Sequence, residues 1–134
     1  MKKLIYLLLI LPLMLTSCKK DNDVDPDLAK KIAGNYTFSS IIMDGKTYDI
    51  DETNISGEAD LERETATTVT LSLDFSIGKQ SNSGSIKSIE LKDAGNGEVE
   101  LAKDGDYIGT AGNGKFSFKM TDSEGNKFTI IGKH

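Results

Sequence analysis

Val69-Thr70-Leu71-Ser72-Leu73-Asp74-Phe75-Ser76-Ile77 decides the fold. Side chains alternate across an extended strand, so Val69, Leu71, Leu73, Phe75 and Ile77 form one dry face. Thr70, Ser72, Asp74 and Ser76 form the wet one. A sheet with one face in a core and the other in water is usually antiparallel, because parallel sheets are covered on both faces.

The same period runs outward from this stretch. Upstream, Ile55, Gly57, Ala59 and Leu61 alternate with Ser56, Glu58, Asp60 and Glu62. Before them, a first strand starts at Asn35 with Tyr36, Phe38 and Ile42 on one face, and Asp44-Gly45 turns it into a partner over residues 46–50. Downstream, residues 78–85 read as a polar loop. Shorter strands follow at residues 86–92, 98–102, 107–111, 115–121 and 127–131. The turns between them are Gly95-Asn96-Gly97, Asp104-Gly105, Gly112-Asn113-Gly114 and Glu124-Gly125-Asn126. A single short helix precedes the strands, over residues 26–33. Asp25 is placed to cap it, Pro26 suits its first position, Leu28 and Ile32 share a face, and Gly34 terminates it. No second helix is long enough to cross between parallel strands. The expectation is an all-β, antiparallel, up-and-down barrel of eight or nine strands, which leaves no exposed sheet edge. The alternative is a β-sandwich, although the Cys-Trp-Cys core of an immunoglobulin-type sandwich is missing.

An eight-stranded barrel is just wide enough to be filled by its own side chains or to hold one small ligand. The inward set comprises Tyr36, Phe38, Tyr48, Val69, Leu71, Leu73, Phe75, Leu91, Leu101, Phe116, Phe118, Met120, Phe128 and Ile130. Within it, Tyr36, Phe38, Tyr48, Leu73, Phe75, Phe116, Phe118 and Phe128 are the candidate lining of a ligand cavity.

The amino terminus carries an address. Lys2 and Lys3 precede an uncharged stretch over residues 4–15, the length of a signal-peptide core and short of a membrane span. It ends in Leu15-Thr16-Ser17-Cys18, which resembles the lipobox of bacterial lipoproteins. That resemblance implies a signal peptide over residues 1–17, a diacylglyceryl group on the Cys18 thiol, cleavage before Cys18 and N-acylation of the new terminus. Cys18 is the single cysteine of the chain; an exported lone thiol is a liability that a thioether to lipid removes. Residues 18–25 then form an acidic tether. It resembles the export signal of some surface-exposed outer-membrane lipoproteins, or is a solvated spacer. The expected location is the bacterial envelope, at the outer membrane and on its surface if that signal is read.

The tether also places Asp21, Asp23 and Asp25 at the first, third and fifth positions of an EF-hand loop. Pro26 stands where that loop needs Gly and Ile32 where it needs Glu, which excludes the motif. The chain has 16 basic and 21 acidic side chains; without Lys2 and Lys3 the balance becomes 14 to 21, about −7. That is the wrong sign for nucleic acid and for electrostatic adhesion to anionic lipid.

Gly34-Asn35-Tyr36, opening the first strand after a short helix and followed by a run of hairpins, resembles the start of a lipocalin barrel. Lipocalins carry Gly-x-Trp there, with Tyr36 in place of the Trp. The resemblance covers residues 25–134. It implies that Tyr36 lies inward at the closed end beneath the helix, with a cation from the last strand, Lys133, over its ring. It also implies a cavity for an apolar small molecule rather than a catalytic site.

Catalytic chemistry finds few resources here. The single histidine is His134, the last residue, where fraying is expected. With Cys18 lipidated, neither a nucleophile–base pair nor a His/Cys zinc site remains. Glu58, Asp60, Glu62 and Glu64 line one strand face opposite apolar residues, the pattern of a solvated face rather than a glycosidase pair. Asp104, Asp106, Asp122 and Glu124 sit in turns, as backbone geometry favours. No glycine loop opens a helix to hold phosphate, and no cofactor is expected. The sequence thus reads as an envelope lipoprotein whose barrel, not an enzyme, binds an apolar small molecule or a surface partner. The other reading is a filled, structural barrel.

Overall fold

The computed structural model describes residues 27–134. The expected signal peptide, Cys18, the expected tether and the positions of Asp25 and Pro26 lie outside the described residues. Helix α1 is Leu28–Ile32. The strands are β1 (Gly34–Met43), β2 (Lys46–Asp49), β3 (Ile55–Thr65), β4 (Thr68–Ile77), β5 (Gln80–Gly95), β6 (Glu98–Lys103), β7 (Asp106–Gly112), β8 (Lys115–Thr121) and β9 (Lys127–Lys133). All pairings are antiparallel, and the sheet order is β2-β1-β3-β4-β5-β6-β7-β8-β9 with β1 also paired to β9. The sheet therefore closes into an eight-stranded barrel, with β2 as one extra strand on the upper half of β1. The sandwich alternative is excluded by that closure.

Turn chemistry sets the hairpins. Asp44-Gly45, Asn96-Gly97, Asp104-Gly105 and Asn113-Gly114 each have positive φ at both residues, the mirror-image turn whose twist matches the flanking strands. Beads of alternation then fix which face is dry: Ala59, Leu61, Val69, Leu71 and Leu73 are buried, while Glu58, Asp60, Glu62 and Glu64 are exposed. The acidic row thus faces water, as its pattern predicts.

Five local expectations change. Ile41, not Ile42, is the buried residue of β1, because a bulge between Phe38 and Ser40 shifts the register by one. Residues 80–85 are not a loop but the first part of β5, paired to β4 through the two-residue turn Gly78-Lys79. Both faces of that segment are polar, so no alternation marks it, yet backbone pairing does not need apolar side chains. Asp27 caps α1, its carboxylate accepting the Lys30 amide at 2.9 Å. Its other partner, Arg63 at 2.9 Å, ties the cap to β3 and, with the cap bond, holds the Asp27 carboxyl below the usual carboxylate range. Finally, His134 does not fray. Its amide donates to the Gly114 carbonyl at 2.9 Å and its ring stands edge-on to Tyr36 at 5.2 Å. Lys133, the expected cation over Tyr36, is exposed instead and opposes Thr37 and Lys115 in the ladders.

The two ends of the barrel differ. Helix α1 crosses one end, touching β3, β4, β5 and β7 and burying Leu28, Ala29 and Ile32. Tyr36 lies beneath it, 2% exposed, and its hydroxyl donates to the Ile32 carbonyl at 2.7 Å. That bond satisfies a helix-end carbonyl that has no partner inside the helix. Gly34 has φ +143°, and a Cβ there would collide with the His134 ring, so glycine is required where the chain leaves the helix for β1. The opposite end holds the turns after β1, β4, β6 and β8 and, among the described residues, has no such cover.

Candidate functional site

Burial falls from the helix end to the uncovered end, and the eight candidate lining residues divide accordingly. Tyr36 and Phe116 pack ring to ring at 5.5 Å under α1, and Phe116 stacks on Phe118 at 6.0 Å. Phe38, Leu73 and Phe118 are also buried. Tyr48, Phe75 and Phe128 are only partly buried, packed against the core from the uncovered end. The structure therefore does not bring the eight together around one cavity. Five belong to a packed interior and three to its open rim. Burial of Tyr36 also pushes its phenol pKa up, which keeps it a neutral hydrogen-bond donor.

Two of the recesses on the uncovered half are mainly apolar. The first, at the mouth, has a volume of about 480 Å³. Ile41, Met43, Ile55, Ile77 and Phe128 supply its apolar surface, and Asp44, Asp122, Asn126 and Lys127 its polar edge. Ile77 is 49% exposed, unusual for a large aliphatic at the end of a dry strand face. The second, also about 480 Å³, is a window in the wall between β5 and β8, floored by Leu73, Phe75, Phe118 and Met120. Sequence reading missed Ile41, Met43 and Ile55 as site residues. Ile77 was visible as part of the dry face, but nothing in the alternation says that β4 outruns its cover.

Of the charged groups at the mouth, Asp122 serves the backbone. Asp122 accepts from the Asn126 side chain at 3.0 Å and from the amides of Asn126 and Glu124 at 2.8 and 2.9 Å. These bonds hold its pKa down, the Asn126 side chain contributing most. Glu64, the last acid of the β3 row, accepts from the Ser88 amide and the Thr70 hydroxyl, both at 2.7 Å, and they depress its pKa in that order. It thereby braces the bulge where Ser88 takes positive φ. Among the described residues, no three acidic, His or Cys side chains converge on a point where a metal could sit, and no helix is long and apolar enough to cross a membrane.

This geometry has counterparts of known structure. A Bacteroides fragilis NCTC 9343 protein, named a "putative outer membrane protein", superposes with a TM-score of 0.52 at 12% identity over 80% of this chain and 52% of that one. A redesigned β-barrel superposes with a TM-score of 0.51 at 16% identity over 82% of this chain and 96% of that one. The fold is a small closed β-barrel. At these identities the likeness carries the fold alone, and the chain spans about half the length of the Bacteroides protein. No protein-family model matches the sequence, and no curated protein matches it.

Proposed function

We propose that the chain is a lipid-anchored protein of the bacterial envelope, held at the outer membrane through Cys18, whose barrel is a non-catalytic receptor for a small amphiphile. The observation that carries the binding part is the half-filled barrel: a packed end under α1 and an apolar recess at the mouth. An apolar floor with a few polar edge groups is the usual make-up of a small-molecule site. The lipobox-like Leu15-Thr16-Ser17-Cys18 supports the address.

The packed end favours a second reading, a structural envelope protein with no ligand. One experiment separates them. The full-length protein in detergent is titrated with a fluorescent fatty-acid analogue, alongside Ile77→Lys. That substitution lies at a half-exposed position, so it shifts stability by less than ~0.5 kcal/mol. The amphiphile reading expects saturable binding by the native chain and at least a tenfold loss in the variant. No saturable binding leaves the structural reading, and equal saturable binding by both removes the mouth as the site.

A further inference from the structure

The window between β5 and β8 is bounded by unpaired strand edges. β5 pairs with β4 from Gln80 to Glu90, but with β6 only from Glu90 to Gly95. Its first half therefore has one edge with no neighbouring strand. β8 likewise pairs with β7 only as far as Phe118, leaving Lys119–Thr121 open on that side.

The groups on the β5 edge can be named. A two-residue turn makes its flanking pair, Ile77 and Gln80, a hydrogen-bonded one. The register then runs without a shift to Leu71 and Ile86, so Gln80, Asn82, Gly84 and Ile86 turn their backbone groups toward β4. Ser81, Ser83 and Ser85 turn theirs toward the open edge. The next residue of that parity, Lys87, confirms the direction: its carbonyl accepts the Lys103 ammonium at 2.7 Å from the end of β6. Beyond this contact, the three serines have no backbone partner on that side among the described residues.

Three features make this edge a binding site rather than a frayed hairpin. From Gln80 to Ile86 it carries no charge and no proline, the devices that normally guard a free edge. Its donors and acceptors repeat every ~6.8 Å, the spacing of a second strand. Gly84, on the inner side, leaves open space: a Cβ there would meet nothing within 4 Å.

We propose that this window takes an extended segment of a partner polypeptide, added to β5 as a strand, with apolar side chains at alternate positions on the Leu73, Phe75 and Phe118 floor. Main-chain bonds give affinity in such an arrangement and the floor gives specificity. A second copy of β5 fits poorly, because one face carries only Ser and the other Gln80, Asn82 and Gly84, with Ile86 as the single apolar side chain to meet the floor. The site is separate from the mouth recess and does not depend on an amphiphile binding there.

The test pans a random twelve-residue peptide library against the full-length protein in detergent. Enriched peptides should alternate apolar and polar residues over at least four positions. Ser83→Pro removes an amide that β4 does not use, so the barrel should stay folded by circular dichroism while those peptides bind at least tenfold more weakly. Gly84→Leu, which fills the floor and leaves the edge amides intact, should weaken them as much and guards against a folding defect in the proline variant. Failure to enrich alternating peptides, or binding unchanged in Gly84→Leu and in a folded Ser83→Pro, overturns the proposal.

Discussion

Leu71→Asp unfolds the barrel at 25 °C, whereas Ser72→Asp leaves it folded. Leu71 is fully buried on β4, opposite Leu61 on β3 and Ile86 on β5, so a carboxylate there has apolar side chains on both flanks. An unpaired buried charge costs several kcal/mol, or forces the group to take up a proton. Domain stabilities of ~5–15 kcal/mol leave little margin for that. Ser72 lies one residue away on the outer face, beside Asp60 and Ser85. A carboxylate there gains a like-charged neighbour in water, a cost under ~1 kcal/mol. Urea denaturation followed by far-ultraviolet circular dichroism checks both. Similar midpoints for the two variants would mean that β4 has no dry face.

Tyr36→Ala is expected to cost ~3–5 kcal/mol, the range for removing a large buried ring, or roughly 10–20 °C in Tm for a domain of this size. Three supports go together: the contact with Phe116, the edge contact with His134, and the hydroxyl bond that closes α1. Tyr36→Phe separates them. It keeps the ring and leaves the Ile32 carbonyl without its donor, for ~1–3 kcal/mol. Differential scanning calorimetry of the two variants measures the split. A Phe variant as damaged as the Ala variant would make the hydroxyl bond, not the ring, the main contribution.

Much of this barrel is legible because each hairpin is specified locally. Asp44-Gly45 and Asn113-Gly114 state the turn, and Leu71 with its neighbours states the dry face, without reference to the rest of the chain. What stays hidden depends on non-local pairing. The bulge near Ser39 moves Ile41 inward because β1 must serve β3 on one part of its edge, β2 on another and β9 on the opposite side. The serine segment of β5 has no apolar period, since neither of its faces meets the core in full. His134 looks like a loose end in sequence, but its place is set by Gly34, one hundred residues earlier, whose missing side chain makes room for the ring. The site follows the same rule. The residue types of the interior are visible, but which of them reach the mouth depends on how far β3, β4 and β5 outrun the others.

Closure of β1 on β9 is the contact on which the whole account rests, and nuclear Overhauser spectroscopy reads it directly. Antiparallel partners lie ~4.5–5.5 Å apart between Cα atoms. Cross-strand signals are therefore predicted between Ile41 and Ile130 and between Phe38 and Gly132, with the β9 amides among the slowest to exchange with solvent. If those signals are missing and the β9 amides exchange as fast as the loop after β8, the sheet is open along β1 and the barrel account fails.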